Sequence, residues 1–154
     1  MSIPLIARVR TLLYFIKCDA LRLYYNRVWG TQIGKGTRLS LSCKLDKTNP
    51  RGVIIGEYTI ITFRTAILTH DFVNRRHMDV RIGSYCFIGC GTIIMPGVTI
   101  GDHCIIGAGT LVRDDVPANS VVVGVPGRVI ERDITTVEWG MRPLRPEECA
   151  GASV

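Results

Sequence analysis

Aliphatic side chains recur at every sixth position through most of this chain. Counting from Ile82, the steps land on Ile88, Ile94, Ile100, Ile106 and Val112. Glycine follows at Gly83, Gly89, Gly101 and Gly107, and small or medium residues stand four places on, at Cys86, Thr92, Val98, Cys104, Thr110 and Val116. A period of six matches neither a helix nor one continuous strand; it describes a short strand and a turn, repeated. The register extends upstream through Ile55, Ile61 and Ile67, with Thr59 and Thr65, and through Ile33, Leu39 and Leu45, with Thr37 and Cys43. It breaks twice, with four extra residues between Leu45 and Ile55 and nine between Ile67 and Ile82.

Three such units close one triangular coil, so each aliphatic residue stacks on its counterpart one coil away. The pattern predicts an all-β solenoid, a parallel β-helix over residues 33–131, with the small fourth-position residues filling its inner corners. The two breaks predict loops on one face, where ligands often bind; the larger is expected at about 72–81. Residues 3–29 mix apolar residues with regularly placed Arg after Ser2 and Pro4, which suit a helix start. They predict an N-terminal helical cap (1–32), although their apolar residues do not fall on one clean stripe. Ser120–Ile130 reads as a final strand with a Gly-Val-Pro-Gly turn, and 132–154 as a short helix and tail.

The length of 154 residues suits one domain with its own core. With hydrophobic residues at 47% and charged residues at 21%, the composition is that of a folded chain. The net charge of +6 is concentrated early, where Arg8, Arg10, Lys17, Arg22 and Arg27 face Asp19 alone. No basic stripe interleaves with aromatics, so no nucleic-acid partner is expected. A basic amphipathic segment does attract anionic lipid, so membrane-surface association through residues 3–29 stands beside the capping role. The six cysteines include no C-x-x-C pair, and no secretory signal precedes them. Free thiols and a cytoplasmic location, with the protein peripheral at the inner membrane face in the membrane-surface reading, are the expectation.

The run Ile82-Gly83 to Ile88-Gly89, then Met95-Pro96-Gly97-Val98-Thr99-Ile100-Gly101, resembles the signature of hexapeptide-repeat acetyltransferases. Asp114-Asp115-Val116-Pro117 and Val123-Gly124-Val125-Pro126-Gly127-Arg128-Val129-Ile130 are similar to that family's C-terminal close. The resemblance covers roughly residues 33–131 and points to sugar and polysaccharide O-acetyltransferases of the maltose, nodulation and colanic acid type. It implies a left-handed coil, a homotrimer, acetyl-CoA bound between subunits, a sugar or nucleotide-sugar acceptor, and a histidine as general base.

The histidine that matches is His70, in Leu68-Thr69-His70-Asp71, just before the larger break. A sugar hydroxyl is a weak nucleophile until a base removes its proton, and imidazole titrates near working pH. Its second nitrogen needs an acceptor, for which Asp71, Asp79 and Asp19 are candidates. His77 could touch the acceptor, whereas His103 occupies a turn of the repeat. Relatives carry an acceptor-binding Asn one coil upstream; here Ser40 or Ser42 stands in that region. By resemblance, Gly89, Gly107 and Ala108 leave backbone open for pantetheine, Arg113 and Arg128 meet the phosphates of CoA, and Phe87 replaces a frequent Trp beside the thioester. Relatives often have Lys where Asp114 stands.

Three histidines could also suggest the zinc site of γ-class carbonic anhydrases, but that site needs two close together on one coil. His70, His77 and His103 are not so spaced, and no metal is expected. A xenobiotic (streptogramin-type) acetyltransferase and a non-catalytic scaffold subunit are the alternatives. Serine acetyltransferase is disfavoured because the chain has no large helical N-terminal domain.

Overall fold

The computed structural model describes residues 5–144, so Ser2, Pro4 and the tail beyond Leu144 lie outside it. Helix α1 spans Leu5–Tyr24 and runs through one π-helical turn, Tyr25–Trp29, to Gly30, whose φ of +73° suits a residue without a Cβ. The missing single stripe has a physical reason: α1 is apolar on two sides. Cys18 is buried, and Leu21 with Tyr25 packs on the core, while Ile6, Leu12, Leu13 and Ile16 face outward.

The strands that follow visit three sheets in rotation. The first coil comprises β1 (Gln32–Ile33), β2 (Arg38–Leu39) and β3 (Lys44–Leu45). The second comprises β4 (Val53–Ile55), β5 (Ile60–Ile61) and β6 (Ala66–Ile67). A hairpin of β7 (His70–Asp71) and β8 (Arg76–His77) then leaves the coil. The third coil is β9 (Val80–Ile82), β10 (Phe87–Ile88) and β11 (Ile93–Ile94). The fourth is β12 (Thr99–Ile100), β13 (Ile105–Ile106) and β14 (Leu111–Val112). The last holds β15 (Val121–Val123) and β16 (Arg128–Glu131).

The sheets run β1-β4-β9-β12, β2-β5-β10-β13-β15 and β3-β6-β11-β14, all parallel, with β16 added antiparallel to β15. Register places like on like: Leu39, Ile61, Ile88 and Ile106 are successive partners, as are Leu45, Ile67, Ile94 and Val112. All eight belong to one buried core. At one corner Thr37, Thr59, Cys86 and Cys104 stack. The Thr37 and Thr59 hydroxyls donate to the carbonyls of Gly56 and Gly83, at 2.6 and 2.8 Å, and accept the next coil's N–H. These are the small inner-corner residues that the spacing predicts, and the hydrogen bonds explain why polar side chains are tolerated inside.

Some local expectations change. The larger excursion starts at Leu68 and ends where β9 resumes at Val80, earlier than 72–81. Ser120–Ile130 is a hairpin, not one strand, because Gly124 turns at φ +101° and Pro126 has no N–H to continue a ladder. The described part of the C-terminal region has only a 3-10 turn, Glu138–Gly140. The rest is an extended strap across one corner. Ile134 N–H donates to Asn119 O, Thr136 Oγ1 to Tyr85 O and Trp139 N–H to Tyr58 O, at 3.1, 2.6 and 2.6 Å. Beneath it the rings of Tyr58, Tyr85 and His103 stack 5.6 and 5.2 Å apart. Cys18, Cys43, Cys86, Cys90 and Cys104 are free thiols, and no helix among the described residues is long and apolar enough to cross a membrane.

Candidate active site

Both breaks in the repeat leave from the same corner. Leu45 ends β3 and Ile67 ends β6, and these two residues are register partners. The chain therefore departs at Asp46 on one coil and at Leu68 on the next, and the two loops lie side by side. The smaller loop turns through Asn49, whose side chain donates to Thr69 O at 3.2 Å, while Thr69 Oγ1 donates back to Asn49 O at 2.7 Å. This clasp fixes the backbone that carries His70.

His70 Nδ1 makes a hydrogen bond to Asp46 Oδ2. The Asp46 side chain is 2% exposed and the imidazole 30%. Asp46 also accepts the N–H of Thr69 on Oδ2 and of Thr48 on Oδ1, both at 2.8 Å. Burial raises the pKa of this carboxyl. The hydrogen bond from His70, the two backbone N–H groups and the imidazole charge outweigh it and bring the value from 3.8 to about 2. The carboxylate is thus held charged against Nδ1, which fixes the ring and leaves Nε2 free. A cavity of about 700 Å³ lies over the imidazole, lined by Thr48, His70, Asp71, Phe72, Arg75 and His77 among others. A buried carboxylate, an oriented imidazole and an open space together suit proton abstraction from a bound hydroxyl or amine.

Asp46 is the carboxylate on His70, and none of the three candidates from sequence occupies that place. Asp71 turns outward to the N–H and side chain of Asn74, whose hydrogen bonds lower its pKa. Asp79 pairs with Arg81 at 3.3 Å, and Asp19 with Arg22 at 3.4 Å on α1. One signal for Asp46 was present in the sequence: it is the first residue of the first break, one step past an aliphatic position whose counterpart is Ile67.

His77 faces His70 across the hairpin and lines the same cavity. Ser40 and Ser42, 3.2 Å apart, occupy a different corner, where Ser40 lines a cavity beneath α1. Phe87 lies on the sheet of β2 and β5, where Gly140 packs so closely that a Cβ there would come 2.5 Å from the Phe87 Cβ. A Cβ on Gly89 would lie 2.5 Å from the Ala108 nitrogen, and one on Gly107 2.7 Å from Val123 Cγ1. These glycines are therefore small because neighbouring coils touch there. Arg113 and Arg128 come together at Asp114, at 3.1 and 4.0 Å. Arg113 follows Val112, three register steps from Leu45, so it shares the edge of Asp46 roughly 14 Å along at the usual spacing of paired strands. No group of three or more potential metal ligands occurs among the described residues.

The family described as bacterial transferase hexapeptide (six repeats) matches residues 79–114. YvoF of Bacillus subtilis (strain 168), which carries an acetyltransferase name, is 40% identical over 101 residues, 64% of this chain and 59% of its own. CapG of Staphylococcus aureus is 39% identical over 116 residues, 68% of this chain and 67% of its own. The chain thus spans about three fifths to two thirds of these relatives. Among solved structures, a maltose O-acetyltransferase from Clostridium difficile 630 is 25% identical with a TM-score of 0.54, covering 79% of this chain and 87% of that one.

Proposed function

The chain belongs to the hexapeptide-repeat acetyltransferase family, and on that premise we propose that it moves an acetyl group from acetyl-CoA to a hydroxyl or amine of a sugar, nucleotide sugar or polysaccharide precursor. The observation that carries this reading is His70, oriented by buried Asp46 under an open cavity.

In the proposed mechanism the acceptor binds over His70 and Nε2 takes its proton as the acceptor oxygen or nitrogen attacks the thioester carbon. The C–S bond breaks, and the thiolate leaves and takes up a proton. Asp46 stays ionised and stabilises the imidazolium that forms between the two steps. Acetyl-CoA supplies the activated acyl group; the edge from His70 to Arg113 is where it fits, because Arg113 and Arg128 converge at its far end and present guanidinium groups suited to phosphates. Asp114 offsets part of that charge, so phosphate binding requires both arginines to turn toward the ligand.

The coil is proposed to be left-handed and the protein a homotrimer whose subunits complete each other's sites. Supporting the second point, Phe72 and Val73 at the hairpin tip are 85% and 87% exposed in the single chain, an arrangement that a neighbouring subunit would cover. The test is thiol release from acetyl-CoA across a panel of sugars, nucleotide sugars and streptogramins. Turnover with a saccharide that disappears in His70→Ala supports the reading. Turnover with streptogramins alone replaces the acceptor class, and no binding of acetyl-CoA by calorimetry replaces the enzyme with a scaffold.

A further inference from the structure

Helix α1 carries more apolar surface than the coil can cover. At 100° per residue its inner side comprises Tyr14, Cys18, Leu21 and, beyond its end, Tyr25, which meet the first coil. The opposite side presents Ile6, Val9, Leu12, Leu13, Ile16 and Leu23, all between 48% and 84% exposed. Cys18 is the only residue of α1 from Ile6 onward that is buried. A two-sided helix of this kind is not explained by capping, which needs only the inner stripe.

The rims of the outer stripe are cationic. Arg8 lies along one edge and Arg10 and Lys17 along the other, all exposed. The helix has one acidic residue, Asp19, which is already paired to Arg22. Apolar residues in the middle, long flexible cations at both margins and no free acid form the complement of an anionic lipid surface. The aliphatic stems of Arg and Lys can then lie along the acyl boundary with their charges among the headgroups. The helix does not match the requirement for a span, so the geometry is that of an element lying in the membrane plane.

We propose that the outer face of α1 docks this protein on an anionic membrane surface, with Leu12, Leu13 and Ile16 in the acyl boundary and Arg8, Arg10 and Lys17 at the headgroups. The coil then stands away from the bilayer on the inner face of the helix. This holds whether or not the acetyl-transfer reading is correct, because none of these residues belongs to the His70 cavity.

The experiment is flotation of the full chain with vesicles of phosphatidylcholine alone and with phosphatidylglycerol at a third of the lipid. Protein should float with the anionic vesicles at least tenfold more than with the neutral ones, and added salt should weaken binding. Leu12→Glu/Ile16→Glu should abolish flotation while circular dichroism and sedimentation stay unchanged; Arg8→Gln/Arg10→Gln/Lys17→Gln should remove the preference for anionic lipid. Three outcomes overturn the proposal: monodisperse protein that stays with the aqueous phase at low salt, flotation undiminished in the Leu12→Glu/Ile16→Glu variant, or a fall in oligomeric state in that variant, which would make the stripe a contact between copies. Acetyl transfer to a water-soluble acceptor, measured on the same variant, should be unchanged, which separates failure here from failure of the catalytic reading.

Discussion

Asp46 and His70 stand 24 positions apart in the chain and meet because Leu45 and Ile67 stack on neighbouring coils. The carboxylate is almost wholly enclosed and the imidazole part-exposed, an arrangement in which one partner positions and the other reacts. If His70 is the base, removing its imidazole leaves only binding and backbone donors. His70→Ala should lower turnover about 10³-fold per folded site. Because it takes the imidazole away from the buried Asp46 carboxylate, it should also lower the thermal midpoint without unfolding the chain at assay temperature. Single-turnover thiol release alongside a melting curve checks both halves, and near-normal turnover would remove His70 from the mechanism.

Asp46→Asn tests the positioning role. An amide can still occupy the site, but it cannot stabilise an imidazolium and can present a donor to Nδ1, favouring the wrong tautomer. A loss of roughly 10²–10³-fold in kcat with little change in KM is expected, with partial recovery in Asp46→Glu. A purely structural role would instead lower the amount of folded enzyme and leave kcat per active site intact, as titration of bound CoA analogue would show.

The same carboxylate couples stability to pH. Its pKa in the folded protein is about 2 against the usual 3.8, so the folded state binds its proton less readily than the unfolded state does. The stabilisation is fully present above about pH 4 and disappears as pH falls toward 2; it is worth on the order of 2 kcal/mol. Urea unfolding between pH 5 and 2.5 should show stability declining with acid, and the slope should be shallower in Asp46→Asn. Equal slopes would mean that other carboxylates dominate the decline.

How much of this was legible beforehand follows from what each feature depends on. The six-residue spacing of Ile82, Ile88 and Ile94 is a local property of the chain, and each of these residues occupies the core position that the spacing assigns. His70 was visible because it stands where the spacing fails. Asp46 is less legible, because its meaning depends on the register between two coils, whereas the carboxylates near His70 in sequence, Asp71 and Asp79, bond elsewhere. At Gly89 and Gly107, where the resemblance implies backbone open to pantetheine, a Cβ would also meet the next coil; sequence cannot tell a glycine that makes room for a ligand from one that lets two coils touch. The strap was invisible because several of its partners are main-chain carbonyls on turns at Tyr58, Tyr85 and Asn119, which any residue would supply, and its side-chain partners Asn119, His103 and Arg38 are distant in sequence.

The stacked core predicts where truncation hurts most. Ile88 is fully buried between Ile61 and Ile106, and closely paired backbones on both sides leave the coil little freedom to collapse into a void. Ile88→Ala should destabilise by about 3–4 kcal/mol, whereas Ile130→Ala, at a position 63% exposed, should change stability by about 0.5 kcal/mol or less. Urea midpoints with unchanged slopes test the contrast, and similar effects at the two positions would contradict the core assignment.

The C-terminal strap and the N-terminal helix meet around one arginine, where the Phe15 and Trp139 rings also touch, 6.3 Å apart. The Arg38 guanidinium carbon lies 3.3 Å from the Trp139 ring centroid and 4.4 Å from that of Phe15 on α1. Trp139 in turn donates Nε1–H to Gly36 O at 2.9 Å, so a single side chain ties the strap to the first coil while the strap's other end reaches Asn119 on the last. Shielded from water by rings on two sides, the cation–π contact should be worth about 1–2 kcal/mol, and Trp139→Ala, which also loses packing and a hydrogen bond, about 2–3 kcal/mol. A double-mutant cycle with Arg38→Met isolates the first quantity. Because the strap lies on a different corner from His70, the Trp139→Ala enzyme should keep most of its turnover at low temperature while becoming more sensitive to proteolysis between Asp133 and Met141. A cycle returning no coupling would mean that Arg38 and Trp139 are merely adjacent, and the link between strap and helix would then rest on the direct contact of the Trp139 and Phe15 rings.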